Sequence, residues 1–419
     1  MAAPTAIAVA SLHAGRPMPK YTGRQLVLLN TAAKTSVLIN QAKKASLRFA
    51  NSLDFSKAKS GDFLHMALLQ ADGIVFDKLK VAIINEEANE PLKHLLASSS
   101  TAKNFLWQEP ERYVYAFAKK KKQIIDFKDN STASWAMQAI EVLQSKYSGK
   151  GINVAVLDTG IDTTHPDLKA RIKKKKSFVK GQQVTDLNGH GTHCGGLIAG
   201  DKHATRHFRY GVAPQTNLYV GKVLNNEGSG TDASILAGIE WAMENKCRIV
   251  SMSLGAEASI GEAYSKVYES VAAEALKNNC LIIAAAGNES QRSRGYISPV
   301  GHPANCPSII AVAALDQQLK VADFSCGGLN TDGGQVDIAS PGVNIWSTWK
   351  NKAYRRESGT SMATPIVAGI AALLADQDPT ITAAALWMKL TQQAKRLQWP
   401  ASDIGAGLAI APQKVTFTP

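Results

Sequence analysis

Long apolar runs, paired cysteines and acidic residues are all in short supply in this sequence. The longest apolar stretch, 362–375, falls short of the ~20 residues that a membrane-spanning helix requires, so no membrane partner is expected. The five cysteines (Cys194, Cys247, Cys280, Cys306 and Cys326) are odd in number and widely spaced, with no C-x-x-C pair. That argues against a cysteine-rich zinc site and a disulfide framework. Cys247 and Cys280 open apolar strand-like runs, where a buried free thiol is the usual state. No basic residue precedes the mildly apolar start MAAPTAIAVASL, which makes it a poor signal peptide and leaves the compartment unassigned. Against 34 acids stand 47 Lys and Arg, a formal charge of +13. Residues 1–134 hold +8 of it, from 15 Lys and 4 Arg against 11 acids. The lysine runs Lys119–Lys122 and Lys173–Lys176 lack interleaved aromatics and read as solvated surface, so no nucleic-acid partner is expected.

What is present is 45% apolar residues in a 419-residue chain, enough for a large core and long enough for two or three domains. Residues 1–20 read as a flexible tail. A small α+β module over 21–118 follows: a strand at Gln25–Asn30, a helix over 33–52, and two apolar pieces in 65–84 turning at Ala71-Asp72-Gly73. A helix near Pro91–Ala97 and a strand at Tyr113–Ala118 complete it. Residues 119–134 turn charged and small, as a linker does. From Trp135 to the end, short apolar strands alternate with helices. Strands are expected at Asn153–Leu157, Asn217–Val223, Arg248–Leu254, Cys280–Ala285 and Ser308–Ala313, and helices at His193–Ala199, Ser234–Glu244 and Tyr264–Asn278. That alternation predicts an α/β fold, a parallel sheet with helices on both faces and its site at the C-terminal strand ends. Asp158, Ser253–Gly255 and Gly287-Asn288 then share one rim.

The chemistry centres on Gly359-Thr360-Ser361-Met362-Ala363-Thr364-Pro365, a serine opening an apolar helix whose Pro365 fits best in the first turn. A serine hydroxyl is a weak nucleophile until an imidazole takes its proton, and the imidazole needs a carboxylate to set its tautomer and stabilise its cation. His190, flanked by glycines in NGHGTH, and Asp158, ending the strand NVAVLD, supply those groups. Asn288, after the turn glycine of AAAGN, supplies an amide for an oxyanion. Each signal alone also has a structural reading: a helix cap, a core histidine, a strand-end acid, an asparagine that stabilises its own turn.

Together, AVLDTGIDTTHPDL, NGHGTHCGG, SMSLG, AAAGNE and GTSMATPIVAG resemble the subtilase family of serine endopeptidases, in that family's Asp, His, Ser order. The resemblance covers about residues 135–410, and Cys194 and IWSTW lean toward the proteinase K branch. It implies a triad of Asp158, His190 and Ser361, an oxyanion donor at Asn288, and a second, non-catalytic histidine at His193. Leu224, Gly228, Ser229 and Gly230 on one segment and Ser253, Leu254 and Gly255 on the other would flank an extended peptide. Gly301 and the wall Ala284–Ala286 would form a primary pocket open to large apolar residues, with Ala285 and Gly287 among the substrate-binding residues and Ile235 and Leu254 lining a second pocket. Asp232 stands where an aromatic rim residue is common, which predicts a more polar preference there. No cofactor is required, and Asp167 matches a calcium ligand, although Lys202, Arg206 and Arg209 nearby oppose a cation. The 21–118 module resembles an inhibitor-like prodomain, with 119–134 as its autoprocessing region and 135–419 as the catalytic domain of a monomer that acts on proteins or peptides. An inactive peptide-binding relative would need a lost triad residue, and an α/β-hydrolase would need glycine at Ala363.

Overall fold

The computed structural model describes residues 21–30, 35–44, 46–51, 70–76, 81–88, 90–91, 105–112, 126–200 and 208–413. It divides into two units, 1–122 and 123–419. Among the described residues, no helix is long and apolar enough to cross a membrane.

The first unit holds a five-stranded sheet of β1 (Tyr21–Leu29), β2 (Phe49–Asn51), β3 (Gly73–Phe76), β4 (Val81–Ile84) and β5 (Phe105–Arg112), with helix α1 (Thr35–Lys44). The strand order is β2-β3-β4-β1-β5, antiparallel except for β2 against β3. Val27, Leu29, Ala42, Val75, Ala82 and Ile84 form its core. One expectation changes here. The helix expected to reach 52 stops at Lys44, because Phe49–Asn51 pairs with β3. Ala71-Asp72-Gly73 leads into β3, with Asp72 accepting from the Arg48 N–H at 2.6 Å; residues 65–69, on the other side of the expected turn, fall outside the described residues. A strand lies at Phe105–Arg112; the one expected at Tyr113–Ala118, and most of the helix expected near Pro91, fall outside the described residues.

The second unit is built on seven parallel strands. These are β6 (Asn153–Asp158), β7 (Ile172–Ser177), β8 (Asn217–Lys222), β9 (Ile249–Met252), β10 (Leu281–Ala285), β11 (Ile310–Leu315) and β12 (Ile338–Pro341). They lie in the order β12-β11-β10-β9-β6-β8-β7. The inner strands are buried along nearly their whole length, as a sheet covered on both faces demands. The covering helices are α2 (Trp135–Ala139), α3 (His190–Ala199), α4 (Asp232–Glu244), α5 (Lys266–Lys277), α6 (Thr360–Gln377), α7 (Ala383–Gln392) and α8 (Ala401–Ile404). An antiparallel hairpin, β13 (Ile345–Trp349) and β14 (Ala353–Glu357), completes the unit.

The lysine run Lys173–Lys176 is neither loop nor helix: it forms the edge strand β7, with all four lysines exposed. Four ammonium groups along an open edge discourage pairing with another chain. Residues 126–134 are tied into this second unit. Phe127 N–H donates to the Gln317 carbonyl at 2.9 Å, Asp129 accepts the Trp135 N–H at 2.7 Å, and Arg356 pairs with Asp129.

The strand order reverses at β6, with β8 and β7 on one side and β9 to β12 on the other. Such a switch point opens a crevice at the carboxyl ends of the strands. Asp158 ends β6 there, and Ser253 follows the end of β9.

Candidate active site

Asp158 is fully buried, and one of its oxygens accepts the Thr159 N–H at 2.7 Å. Its two oxygens lie 2.8 and 3.0 Å from His190 Nδ1. Burial alone would lower the His190 pKa, but the Asp158 carboxylate outweighs it and holds the imidazole well above the ordinary histidine value. With Nδ1–H donating to Asp158, Nε2 is the nitrogen left to face the cleft.

His190 is the first residue of α3, and its place depends on what precedes it. Gly189 takes φ 111°, and a Cβ there would sit 2.4 Å from the Trp349 ring. Asp186 then gathers the helix start: its oxygens accept from the N–H groups of Asn188, Gly189 and Thr192 and from the Thr159 and Thr192 hydroxyls, all within 3.1 Å. One buried carboxylate thus joins the acid turn to the histidine helix. From the other side, Ser347 Oγ donates to the His193 carbonyl at 2.8 Å and Thr348 Oγ1 to the Thr192 carbonyl at 2.7 Å. His193 turns away from the cleft toward the Ile345 and Arg355 carbonyls, and burial lowers its pKa to about 3. It is therefore a neutral, structural histidine.

Ser361 is the second residue of α6. Pro365 sits one turn further in than the sequence suggested, as the sixth residue of that helix, and it has no N–H for the Ser361 carbonyl. Ser253 Oγ fills the gap by donating to that carbonyl at 2.8 Å, and the Cys194 thiol approaches it at 3.6 Å. In return Ser361 Oγ donates to the Ser253 carbonyl at 3.4 Å. In this rotamer it makes no hydrogen bond to His190, so engaging the imidazole requires the hydroxyl to turn away from Ser253.

The Asn288 amide is oriented by its oxygen, which accepts the Thr360 N–H at 2.8 Å and the Thr360 hydroxyl at 3.0 Å. Its NH₂ edge is left toward the cleft. A Cβ on Gly359 would lie 3.6 Å from both the Ser361 nitrogen and Asn288 Oδ1 and 3.7 Å from Asn288 Nδ2, so Gly359 adjoins both the serine backbone and the oriented amide.

The cleft has a volume of about 510 Å³. Its walls include His190, Ser361, Asn288, Leu224, Gly228, Ser229, Gly230, Ile235, Ser253, Leu254, Gly255, Ala285, Gly287 and Gly301, so the residues singled out from the sequence meet at one place. Asp158 stands behind His190. A Cβ on Gly301 would strike the Ala256 carbonyl at 2.5 Å, so this glycine permits the close backbone approach. His302 and Glu289 also line the cleft, although neither was assigned a role from the sequence.

Lys222, opposite Asp158 in the sheet register, was also missed. It is fully buried, and its Nζ donates to the Thr159 carbonyl at 2.5 Å and to Asn226 Oδ1 at 3.0 Å. Burial lowers its pKa, while Asp186, Asp158 and Glu227 pull the other way. The available signal was a lone lysine ending an otherwise apolar strand.

One oxygen of the candidate calcium ligand Asp167 accepts from the Tyr210 hydroxyl and from the Tyr354 hydroxyl at 2.9 Å, while residues 201–207, in the loop expected to complete a calcium site, lie outside the described residues. Among the described residues, the acid, imidazole and thiol within metal-ligand reach of one another are Asp158, His190 and Cys194, the pair above with the thiol beneath it. All five cysteines are free and buried.

Comparison with known proteins agrees with this geometry. A model described as the subtilase family matches residues 149–408. Subtilisin DY of Bacillus licheniformis is 38% identical over 262 residues, which cover 62% of this chain and 90% of that protein. The thermostable alkaline protease of Halalkalibacterium halodurans is 39% identical over 286 residues, 67% of this chain and 73% of that one. Among solved structures, Sphericase superposes with a TM-score of 0.59 at 34% identity, covering 70% of this chain and 100% of its own. A parallel sheet carrying a carboxylate-bound histidine, a helix-borne serine and an oriented amide, matched along 149–408, places this chain in the subtilase family of serine endopeptidases.

Proposed function

We propose that Ser361, His190 and Asp158 cleave peptide bonds through an acyl-enzyme. The observation that carries this reading is the 2.8 Å pairing of His190 Nδ1 with Asp158 in a cleft that also holds Ser361 and Asn288. Ser361 Oγ attacks the carbonyl carbon while His190 Nε2 takes its proton and Asp158 stabilises the imidazolium. The oxyanion is received by the Asn288 amide and the Ser361 N–H. His190 then protonates the leaving amine, and water hydrolyses the ester by the same route. A fluorophosphonate should label Ser361. Modification at another residue, or none at all, would rule the assignment out.

The open wall at Ala285, Gly287 and Gly301 supports a preference for large apolar residues before the cut. We further propose that residues 21–118 act as an intramolecular inhibitor released by self-cleavage. We put the cut before Asp126, earlier than Trp135, a reading supported by the bonds that tie residues 126–134 into the catalytic unit. Purified wild type should shed a fragment ending before Asp126 and Ser361→Ala should keep it; equal shedding by both would refute self-processing.

A further inference from the structure

The formal charge of the chain is +13, yet no lysine or arginine is among the residues that line its cleft. The charged side chains there are Asp232 and Glu289, with the histidines His190 and His302. Glu289 is engaged, accepting the Asn288 N–H at 2.7 Å and the Cys326 thiol at 3.1 Å. Asp232, the first residue of α4, has a side chain that is 71% exposed. One of its oxygens accepts the hydroxyl of the buried Tyr268 at 2.9 Å, which holds the carboxylate in place.

Around it are the parts that a long cationic side chain uses. Ile235, one turn along α4, and Leu254 on the facing segment offer apolar surface to an aliphatic stem. His302 packs edge-on against Tyr268, ring centroids 4.6 Å apart, with Nε2 3.8 Å from Asp232. Burial lowers the His302 pKa although Asp232 and Glu262 pull it up, so at neutral pH this imidazole brings no full positive charge. The carboxylate therefore lacks a cationic partner among the described residues that line the cleft.

We infer that Asp232 makes this end of the cleft a recognition point for a lysine or arginine side chain of the substrate. The inference rests on the protease reading above and adds a substrate class to it: polypeptides with a basic residue on the acyl side of the cut, apart from the apolar residue in the primary pocket. The carboxylate selects by attraction and the apolar surface beside it by packing, while an acidic residue is turned away by like charge.

The test is kcat/KM for the processed wild-type enzyme on peptides that share one apolar residue before the cut. Lysine, leucine, phenylalanine or glutamate is placed in turn at each position further upstream. At one position lysine should exceed glutamate by about fivefold at low salt, and less at high salt. Asp232→Asn should bring the two within about twofold, and Asp232→Lys should reverse their order. Equal rates for lysine and glutamate at every position in the wild type, a dominant aromatic requirement at that position, or a preference that survives in Asp232→Asn would overturn the inference. If the leucine peptide is cut by wild type and not by Ser361→Ala, the protease reading stands whatever the lysine result. If no peptide is cut, or Ser361→Ala cuts as well as wild type, both fall together.

Discussion

Replacing Lys222 by methionine should loosen the site from behind, through Thr159 in the cleft wall and Asn226 beside it. The buried ammonium makes two hydrogen bonds, to the Thr159 carbonyl and to Asn226 Oδ1, and lies among Asp158, Asp186 and Glu227. A hydrogen bond to a charged group contributes about 1.5–3 kcal/mol. Methionine avoids the cost of burying the ammonium and returns part of that loss, which leaves a net destabilisation of about 3 kcal/mol. That is a large share of a typical domain stability of ~5–15 kcal/mol. Urea unfolding in a Ser361→Ala background, where self-digestion is silenced, measures it. Kinetics in the active background supply a second reading. Asn226 belongs to the segment expected to flank the substrate, so KM should rise. Loss of the positive charge should also let Asp158 stabilise the imidazolium more strongly and move the acid limb of kcat/KM to higher pH. A merely structural lysine would not move that limb. A loss below about 1 kcal/mol together with an unmoved limb would refute the reasoning.

The raised His190 pKa itself sets a pH dependence. The imidazole accepts a proton only when neutral, so kcat/KM should fall as pH drops through a midpoint above the ordinary 6.5; a midpoint at or below 6.5 contradicts the Asp158 effect. Asp337, which accepts the Ala311 N–H at 2.8 Å, is pushed up by burial to about 7 from 3.8. A carboxyl raised in the fold costs stability as pH climbs from about 4 to 7, at most about 4 kcal/mol. Asp337→Asn should therefore be the more stable protein above pH 7 and gain nothing below pH 4, and a pH-independent difference would discount the burial argument. Cys194 Sγ lies 3.9 Å from His190 Nδ1 and 3.6 Å from the Ser361 carbonyl. A mercurial should inactivate the wild type slowly and spare Cys194→Ala; equal inactivation of both would move the sensitive thiol elsewhere. Asn288→Ala should lower kcat by about 10²–10³, a magnitude carried over from subtilisin, the reference case for this amide, and an unchanged kcat would remove Asn288 from the oxyanion site.

The second unit was legible because its strands are nearly all apolar and its chemistry sits in turns: Asp158, His190, Asn288 and Ser361 each end, follow or open a regular element. What supports them was not. Asp186 and Lys222 act through contacts between segments far apart in the chain, and a single acid or lysine has no periodicity to reveal its partner. The strand β7 escaped notice because IKKKKS carries no alternation, its pairing being supplied by β8. The helix expected over 33–52 ran too long because its end is decided by the pairing of Phe49–Asn51 with β3, not by local composition. The surroundings of Asp167 were not legible either, because Tyr210 and Tyr354, whose hydroxyls it accepts, come from elsewhere in the chain.

The rung that Pro365 removes from α6 has a mechanical consequence. With its own helix unable to bind the Ser361 carbonyl, the nucleophile's backbone is tethered to Ser253, in the segment expected to pair with the incoming peptide. Any displacement of that segment would therefore reach the backbone of Ser361 through one hydrogen bond, with no intervening residue.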